Sequence, residues 1–529
     1  MKEDGRIKKH PILKFDRGKK VYFYFNGKKV EGYENETVAA ALYAMGVRIF
    51  SRSFKYHRPR GFFCAIGKCS SCLMRVNGVP NVRTCMVRVQ EGMVVESEHA
   101  FPSAEHDIYS VMDYIPFISK TGFYLKTFIR PRFLYGTYQK VIRKFTGLGK
   151  FPTKKAVYKP PKENPLIETD VAVIGGGPAG LSAAIYAAKL GANAILIDEN
   201  WRLGGQLIKQ THRFFGSARH EAGIRGIRIA EDLTRQVEEL KDKITVMLEA
   251  TATGYYAEGI IGVVQKGKFI KIKPKRTIIA TGAYERTLVF ENNDLPGVYG
   301  AGGVQTLMNV YGVKPGNEGL MVGAGNVGLI VTYQLLQAGV KVKAIVEAMP
   351  KVGGYLVHAA KVRRLGVPIY TRHTILKAYG NKKVEGAIIV ELDDKWNPIP
   401  GTEKNIKCDF ICISVGLNPT HELLYQAGAT LKYVRELGGF VPLRNKYMET
   451  DAKGVFVAGD ASGIEEASTA IMEGRIAGIT AALQLGYGDE SAIKLREEIM
   501  KDLEEMRSGP FGEPIVRGIK KVLIEEGAQ

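Results

Sequence analysis

Four cysteines near the N-terminus are the residues of this chain best suited to chemistry. They follow the spacing C-x4-C-x2-C-x12-C and are Cys64, Cys69, Cys72 and Cys85. The first three are close enough in sequence to share one tight loop, in which Gly67 can adopt backbone angles that other residues avoid. The fourth would return on a hairpin whose turn is predicted at Asn77-Gly78. Because the first three match the plant-type ferredoxin spacing, the pattern favours a two-iron, two-sulfur (2Fe–2S) cluster.

Two alternatives to the cluster remain open at this point, a four-cysteine zinc site and unpaired thiols. Zinc sites usually use two C-x2-C-like pairs, whereas the first gap here is four residues. The chain has six cysteines in all. The other two, Cys408 and Cys412, lie in or beside an apolar run and are interpreted as core residues. Neither C-x-x-C nor C-x4-C occurs after Cys85, so a disulfide-reductase mechanism is not expected.

A glycine-rich turn between residues 170 and 199 predicts a dinucleotide site. The motif Gly175-x-Gly177-x-x-Gly180 follows an apolar run and precedes an alanine-rich helix. A second apolar run ends at Asp198. This strand–turn–helix–strand order is typical of a dinucleotide-binding unit. The helix N-terminus would bind the diphosphate, and Asp198 would accept hydrogen bonds from the ribose hydroxyls.

Two later segments resemble motifs of flavoproteins with two dinucleotide-binding domains. They are the strand that ends at 280–282 and the strand that ends at 459–461, while the Gly-Gly pair at 204–205 suits a close approach of the backbone to a cofactor. The resemblance implies one FAD domain that is interrupted in sequence, with Asp460 at the ribityl chain. A helix opening at 467–474 would direct its N-terminal end at the flavin ring. The candidate FAD residues are Gly175, Gly177, Pro178, Ala179, Gly180, Asp198, Glu199, Gly205, Gln206, Ala280, Thr281, Gly282, Gly459 and Asp460.

A second fingerprint, Gly323-x-Gly325-x-x-Gly328, lies between these FAD segments. An acid after its second strand, Glu347, would favour NAD over NADP by binding the 2′-hydroxyl. Counted from the first glycine, however, Val346 rather than Glu347 corresponds to Asp198. The prediction is therefore NAD or another adenine nucleotide. The candidate residues of this site are Gly323, Gly325, Asn326, Val327, Gly328 and Glu347.

Two further strings suggest a family. SFKYHRPRG at 53–61 and NNDLPGV at 292–298, together with the cysteine loop, resemble the α-subunit family of heteromeric sarcosine oxidases. Relatives of that family include two-component proline, hydroxyproline and opine dehydrogenases and hydrogen cyanide synthase. The resemblance covers nearly the whole chain. It implies a hetero-oligomer in which a flavin-containing β-subunit oxidises a secondary amine and this chain relays the electrons to an acceptor.

The same resemblance leaves room for an FMN at an interface in the complex and for a small ferredoxin-like subunit. It assigns no catalytic residue, and no acid–base constellation for amine oxidation is visible in the sequence. No cysteine follows Cys412, so the cysteine-rich C-terminal module of some relatives is not expected, and 529 residues leave no room for the folate-binding domain of full-length sarcosine oxidase α-subunits. Folate-linked transfer of a one-carbon unit is therefore not expected.

The predicted fold class is α/β, with a β-grasp ferredoxin-like domain followed by a Rossmann-like FAD domain that carries an inserted nucleotide domain. The predicted segments are a 2Fe–2S domain (1–105), a basic connector (106–165), a first FAD segment (166–298), the NAD-type insertion (299–430), a second FAD segment (431–490) and a helical tail (491–529). The tail is expected to serve packing or subunit contact.

Charge and hydropathy restrict the remaining choices. The net charge is +21, and residues 120–162 contain many Lys and Arg with interleaved aromatics. Nucleic-acid surfaces can have this composition. No nucleic-acid motif accompanies it, so a protein partner or an intramolecular contact is preferred. The first fifteen residues lack an apolar signal core, and no apolar run is long enough to span a bilayer, so a cytoplasmic protein is expected.

Three functions compete on this basis. The favoured one is a flavin and iron–sulfur electron-transfer subunit of a heteromeric amino-acid dehydrogenase acting on CH–NH donors. The second is a self-sufficient NADH-dependent reductase of a ferredoxin or dye. The third is a non-enzymatic scaffold with structural nucleotides, which the intact set of cluster cysteines argues against.

Overall fold

The computed structural model describes residues 4–114, 122–145, 166–213 and 223–524, which fall into two compact units. Of these residues, the first unit comprises those up to 145 and 285–415, and the second comprises 166–284 and those from 416 onward. Within the predicted basic connector, residues 115–121 and 146–165 lie outside the described residues, as do the last five of the tail.

The N-terminal portion of the first unit is a five-stranded sheet with one buried helix. Its elements are β1 (Lys20–Phe25), β2 (Lys28–Tyr33), α1 (Val38–Ala44), β3 (Ser51–Arg52), β4 (Pro59–Arg60), β5 (Leu73–Val76), β6 (Val79–Arg83) and β7 (Val94–Glu96). The sheet order is β2-β1-β7-β5-β6, and β1 pairs in parallel with β7. This arrangement confirms the predicted ferredoxin-like fold. A 3-10 helix (Ile108–Tyr114) and helices α2 (Phe123–Lys126) and α3 (Phe133–Phe145) follow.

Local sequence signals explain these elements. Asn26 and Gly27 both have positive φ, as a two-residue hairpin turn between right-handed twisted strands requires. Asn77 and Gly78 do the same between β5 and β6. Thr37 begins α1, because its side chain accepts a hydrogen bond from the Ala40 amide at 3.3 Å.

The next stretch builds most of the second unit. Its elements are β8 (Leu166–Ile174), α4 (Pro178–Lys189), β9 (Ala194–Ile197), α5 (Gly226–Glu239), β10 (Ile244–Met247), β11 (Ala250–Tyr255), β12 (Ile261–Gln265), β13 (Lys268–Ile279) and β14 (Ala283–Glu285). Strands β10, β9, β8 and β13 are parallel neighbours, while β12 and β11 continue the sheet antiparallel. The fingerprint helix α4 follows β8, a central strand of the parallel set.

The rest of the first unit is a five-stranded parallel sheet with a small antiparallel one. Its elements are β15 (Val298–Gly300), α6 (Ala301–Asn309), β16 (Glu318–Val322), α7 (Asn326–Gln337), β17 (Lys341–Glu347), α8 (Leu356–Arg364), β18 (Ile369–Thr371), β19 (His373–Tyr379), β20 (Gly386–Glu391), β21 (Lys404–Lys407) and β22 (Phe410–Ile413). The parallel order is β15-β22-β16-β17-β18, and β19-β20-β21 are antiparallel.

The final stretch returns to the second unit. Its elements are β23 (Leu417–Pro419), α9 (Glu422–Gln426), β24 (Leu431–Val434), β25 (Gly439–Pro442), β26 (Val455–Val457), α10 (Ala467–Gln484), α11 (Glu490–Met506) and α12 (Glu513–Lys520). Strand β26 pairs in parallel with the end of β13, which joins the last strand to the FAD-type sheet. The predicted helix opening at 467 is present, and the tail forms two helices.

One apolar core within the first unit contains side chains from both of its sequence segments. Tyr43 and Phe62 of the N-terminal segment contact Tyr299 of the later one, with ring centroids 6.1 and 6.5 Å apart. The Tyr43 hydroxyl also hydrogen-bonds to the Tyr299 hydroxyl and to the carbonyl of Pro315. The cysteine-bearing segment and the inserted nucleotide-binding segment therefore share one hydrophobic core.

Across the described ranges, every helix is too short or too polar to cross a membrane.

Candidate functional site

The first fingerprint forms a tight turn between β8 and α4. At Gly175, with φ near +110°, a β-carbon would lie 2.2 Å from the carbonyl oxygen of Ala280. At Gly180 it would lie 1.8 Å from the carbonyl oxygen of Gly175. Side chains at these two positions are sterically excluded, as the fingerprint requires. Helix α4 has Gly177 as N-cap and Pro178 in its first turn, so amides at its N-terminus lack intrahelical partners.

Asp198 lies at the end of β9 and closes the turn from the other side. Its Oδ2 accepts a hydrogen bond from the Gly176 amide at 2.5 Å, and its Oδ1 accepts one from the Asn200 amide at 2.7 Å. Asp198 is 7% exposed, and burial raises its pKa. The next residue, Glu199, is half-buried. The acid is thus positioned against the glycine-rich turn, where an adenosine ribose would lie.

The remaining FAD candidates converge on the same turn. A β-carbon at Gly205 would lie 2.5 Å from the Cα of Gly177, so the Gly-Gly pair packs directly on the fingerprint. Gln206, in the 3-10 helix Gly205–Lys209, is exposed. At Gly282, after Ala280 and Thr281, an added β-carbon meets no atom within 4 Å, which leaves open space beside the strand end.

The last FAD candidates lie at the N-terminal end of the same helix. A β-carbon at Gly459 would lie 2.9 Å from the Cβ of Ala179. Burial, with repulsion from Glu465 and Glu473, raises the pKa of the Asp460 carboxyl to about 7, although the nearby Glu465 amide acts in the opposite direction. The structure therefore gathers segments that are distant in sequence around one helix N-terminus. Close glycine contacts beside open space fit a dinucleotide whose diphosphate lies at that N-terminus.

The second fingerprint repeats this geometry in the first unit. A β-carbon at Gly323 would lie 2.0 Å from the Ser414 oxygen, and one at Gly328 would lie 2.2 Å from the Gly323 oxygen. At Gly325, the N-cap of α7, an added β-carbon meets nothing within 4 Å. Asn326 and Val327 are the first two residues of α7. The residues present fit a second nucleotide at this helix N-terminus.

The structure corrects the residue count that placed Val346 opposite Asp198. In the FAD-type sheet, Ile174 pairs with Ile197, and Asp198 follows. In the other sheet, Val322 pairs with Val346, and Glu347 follows. The register of β16 and β17 shifts between Gly319 and Leu320, whose partners are Val342 and Ala344, so Lys343 is an extra residue in β17. Such a β-bulge moves the acid one place along the sequence without moving it in space.

A Gly-Gly pair in the second site was missed by the sequence reasoning. The Gly354 amide donates to the Ala324 carbonyl at 3.0 Å, and the Tyr355 amide donates to Oδ1 of Asn326 at 2.8 Å. The chain after Glu347 therefore folds back over the second fingerprint. The signal was present, because Gly354 follows Glu347 by seven residues, as Gly205 follows Asp198.

The four cysteines near the N-terminus form one cluster of thiols. Cys64, Cys72 and Cys85 are buried, while Cys69 is half-buried. The Cys64 thiol contacts those of Cys69 and Cys85, and the Cys72 thiol contacts that of Cys85. The loop turns at Ala65 and Gly67, both with positive φ. The cysteine spacing predicted that the four thiols lie close together, and in the structure they do.

Backbone amides point at these sulfurs. The amide of Cys69 donates to the Cys64 sulfur at 3.4 Å, and the amides of Ile66 and Cys85 lie near the sulfurs of Cys64 and Cys72. Hydrogen bonds from the neighbouring Cys69 and Cys85 thiols lower the pKa of Cys64, and the same contacts raise the pKa of Cys69 and of Cys85. Hydrogen bonds to sulfur favour thiolates, which are the ligands that iron needs, and they tune the potential of a cluster.

Within the described ranges, no group of three or more His, Cys, Asp or Glu side chains has the spacing of ligands to a single metal ion. In a 2Fe–2S cluster the four thiolates are divided between two irons. Two thiolates would bind each iron, and Cys64, Cys69, Cys72 and Cys85 together supply the four that are needed. The residues therefore fit a 2Fe–2S cluster.

The two strings that suggested a family contact each other. Arg58 and Arg60 of the first string both approach the carboxylate of Asp294 in the second, each at 3.6 Å. His57 and Asp107 are buried and paired at 2.7 Å between Nδ1 and Oδ2. A β-carbon at Gly61, three residues before Cys64, would lie 3.0 Å from Pro296. The two strings thus form one packed junction in the first unit.

Comparison with known proteins places the chain in a family. Residues 169–474 match the family described as pyridine nucleotide-disulphide oxidoreductase. The chain belongs to that family. Residues 18–100 match the family described as 2Fe-2S iron-sulfur cluster binding domain, which includes all four clustered cysteines. With the geometry above, these matches support FAD and a 2Fe–2S cluster as cofactors.

Three relatives of this pyridine nucleotide-disulphide oxidoreductase are named as subunits. The alpha subunit of sarcosine oxidase from Rhizobium meliloti is 30% identical over 507 residues, which cover 91% of this chain and 48% of that protein. The opine oxidase A subunit from Agrobacterium tumefaciens is 27% identical, over 60% of this chain and 66% of that one. The HcnB subunit of hydrogen cyanide synthase from Pseudomonas aeruginosa is 26% identical, over 63% and 75%. The resemblance to the α-subunit family is confirmed, although this chain spans about half the length of the sarcosine oxidase subunits.

A solved structure supports the fold. L-proline dehydrogenase from P. horikoshii superposes with a TM-score of 0.64 at 24% identity, covering 93% of this chain and 79% of that chain.

The two cysteines outside the cluster do not suit the disulfide chemistry in the family's description. Both Cys408 and Cys412 are buried, and burial raises the pKa of Cys408 to about 12, which leaves its thiol unreactive.

Proposed function

We propose that this chain is the flavin and iron–sulfur electron-transfer α-subunit of a heteromeric dehydrogenase that oxidises a secondary amine of the proline, sarcosine or opine type. One observation supports this most strongly. The chain combines a four-cysteine loop and an FAD-type fingerprint domain, and it aligns over 507 residues with the alpha subunit of a sarcosine oxidase.

When bound, FAD supplies two-electron chemistry, whereas a 2Fe–2S cluster passes one electron at a time. The residues of this chain would hold both groups in place. The N-terminus of α4 and Asp198 would bind the adenosine diphosphate half of FAD, and Asp460 would bind the ribityl chain. Cys64, Cys69, Cys72 and Cys85 would hold the cluster, with backbone amides donating to the sulfurs. The chain would thus convert a two-electron input into single-electron output.

The site where the amine is oxidised would lie in a partner. The relatives are named as subunits, which supports a hetero-oligomer, and a flavin-containing β-subunit is the proposed source of electrons. A small ferredoxin-like subunit, with an FMN at an interface in the complex, belongs to the same proposal, as does a cytoplasmic location. Nucleic acid is not a proposed partner. The six predicted segments and the individual site residues belong to the same proposal.

A second candidate function is an NADH-dependent reductase. The observation that favours it is the hydrogen bond from the Ala324 amide to Glu347 at 2.7 Å, since a carboxylate against the glycine-rich turn is what an NAD ribose would need. In that case electrons would enter through the inserted segment, and no partner would be needed. The same geometry suits another adenine nucleotide that is held without hydride transfer.

An anaerobic titration separates the two functions. The holoprotein is purified alone and, separately, co-purified with its flavoprotein partner. Each is mixed with NADH, and then with L-proline, sarcosine or octopine, while the flavin and iron–sulfur absorbance is recorded. The proposal predicts that an amine bleaches both chromophores in the complex only, and that NADH leaves the lone chain oxidised. Stoichiometric bleaching of the lone chain by NADH would support the reductase instead. Unchanged electron transfer in a Cys69→Ser complex would support the scaffold.

A further inference from the structure

A buried ion network lies behind the Gly459-Asp460 turn in the second unit. At its centre is Glu473 of α10, which is 2% exposed. Its Oε2 accepts hydrogen bonds from the Gly459 amide at 2.9 Å and from the Ser462 hydroxyl at 2.6 Å. Its Oε1 accepts from Arg507 at 2.6 Å and from Arg444 at 3.3 Å. The carboxylate of Glu473 thus accepts four hydrogen bonds. One of them comes from the backbone amide of Gly459, so the carboxylate is bound directly to the turn.

Arg507 links this carboxylate to a second one. Its Nε and Nη2 donate to the two carboxylate oxygens of Glu465 at 3.0 and 2.6 Å, in the two-pronged geometry that gives strong, directional binding. Glu465 also lies near Asp460, because its backbone amide and its carboxylate both act on the pKa of the Asp460 carboxyl. Arg507 therefore contacts two carboxylates. One accepts a hydrogen bond from the Gly459 amide, just before Asp460, and the other belongs to a residue whose backbone amide lies near the Asp460 carboxylate.

The network is anchored to the fingerprint helix as well. A β-carbon at Gly474, next to Glu473, would lie 2.1 Å from the carbonyl oxygen of Ala179. One at Gly478 would lie 2.3 Å from that of Ala183. Helix α10 thus packs backbone to backbone against α4, and Glu473 projects from a rigid base. Within the network, two guanidinium groups face the two carboxylates Glu465 and Glu473, so those charges balance before Asp460 is considered.

Arg507 is the C-cap residue of α11, in the tail that the sequence suggested was for packing. We propose that Arg507 is a positioning residue of the FAD site, holding the Gly459-Asp460 turn in its cofactor-binding conformation through Glu465 and Glu473. The inference rests on the proposed role of Asp460 at FAD. It extends that role by making the C-terminal helix a component of the cofactor site.

The test compares FAD affinity in four variants of the full chain. Arg507→Met removes the charge and the hydrogen bonds, and Arg507→Lys keeps the charge without the two-pronged contact. Ser462→Ala removes one donor to Glu473. Arg235→Met, on α5, is the matched control, since its ion pairs lie at the surface. FAD dissociation constants are measured by flavin fluorescence on deflavinated protein, and the 2Fe–2S absorbance reports on the integrity of the first unit.

The expected result is that Arg507→Met weakens FAD binding by about tenfold to a hundredfold, the usual effect of losing a group that orients a ligand-binding residue. Arg507→Lys and Ser462→Ala should fall between wild type and Arg507→Met, with the 2Fe–2S absorbance unchanged in all. A lower melting temperature with unaltered FAD affinity would overturn the inference, because it indicates a structural role alone. If Arg507→Met does not fold, the Arg507→Lys and Ser462→Ala affinities decide by the same criterion.

A fifth variant separates this inference from the function on which it rests. Asp460→Asn tests the proposed FAD contact directly. Wild-type FAD affinity in Asp460→Asn would refute the assigned site, and with it the inference. Weakened binding in Asp460→Asn, together with wild-type affinity in the Arg507 and Ser462 variants, would refute only the positioning role.

Discussion

Glu347 accepts a hydrogen bond from the Ala324 amide at 2.7 Å, and this contact is the counterpart of the one that Asp198 makes with the Gly176 amide. In each fingerprint the acid binds the amide of the second residue of the glycine motif. Each acid also accepts from the amide two residues further on, that of Met349 or Asn200. The two glycine-rich turns are therefore built alike, although a bulge at Lys343 hides the relationship from a residue count.

This equivalence predicts the effect of removing the second acid. Glu347→Ala should weaken binding of NADH to the holoprotein by about tenfold to a hundredfold, because a hydrogen bond to a charged group contributes about 1.5–3 kcal/mol. It should also reduce any preference for NADH over NADPH, since the carboxylate repels a 2′-phosphate. Calorimetric titration with NADH, NADPH and ATP measures both effects. Glu385→Ala, an exposed carboxylate in the same unit, is the control, and equal affinities in wild type and Glu347→Ala would contradict the assignment.

The cluster assignment predicts a selective effect of cysteine substitution. Cys69→Ser should abolish or strongly alter the 2Fe–2S absorbance and lower the iron content, because one thiolate ligand is lost. Cys408→Ala should retain both, since that thiol lies in the core of the inserted segment. Iron analysis and visible spectra of anaerobically purified proteins measure the difference. One tightly bound zinc and no iron in the wild-type protein would instead favour the four-cysteine zinc site.

Because the first fingerprint is closely packed, we expect that adding a single methyl group at Gly180 disrupts it. Gly180→Ala places a β-carbon 1.8 Å from the Gly175 oxygen, so α4 must shift away from the turn. FAD content should fall sharply while the cluster remains, and the second unit should lose about 1–3 kcal/mol of stability. Gly136→Ala is the control, because an added β-carbon there meets no atom within 4 Å. Full flavin occupancy in Gly180→Ala would be incompatible with the described turn.

The buried carboxylate of Asp170 in the second unit should make the stability of that unit depend on pH. Burial alone would raise the pKa of Asp170, but hydrogen bonds from the Asn193 amide, from Lys275 at 2.9 Å and from Tyr487 at 2.9 Å outweigh it and lower the pKa to about 2. Its ordinary value is 3.8. A carboxyl with a lowered pKa in the folded state contributes stability that is complete above its unfolded pKa and is lost as the pH falls toward 2.

Asp170→Asn should therefore lower the free energy of unfolding of the second unit by about 2 kcal/mol at pH 7. The difference from wild type should shrink as the pH falls from the ordinary pKa of Asp170 toward its lowered value. Flavin fluorescence during urea unfolding at several pH values measures it, with Asp242→Asn, at an exposed position of the same unit, as the control. A difference that stays constant across this range would show that Asp170 contributes by packing alone.

Short-range signals determined much of this protein from sequence alone. The cysteine spacing predicted the cluster loop, and Asn-Gly pairs predicted both hairpin turns. The glycine fingerprints predicted the two helices that begin at Pro178 and Asn326, because each of these features depends on backbone angles or contacts within a few residues. The family strings predicted the relatives. The two glycine-rich turns and the thiol cluster could therefore be predicted from the sequence, without knowledge of the fold.

Other features were decided only by the tertiary structure. The bulge at Lys343 depends on pairing between two strands, so no count along one strand reveals that Glu347 is the equivalent of Asp198. The contact of Arg507 with Glu473 joins positions whose separation in sequence carries no periodic signal. This contact is important because Glu473 is buried, and a charge removed from water needs a partner inside the fold. The shared core of Tyr43 and Tyr299 has the same origin, because apolar surfaces distant in sequence pack together only once the chain has folded.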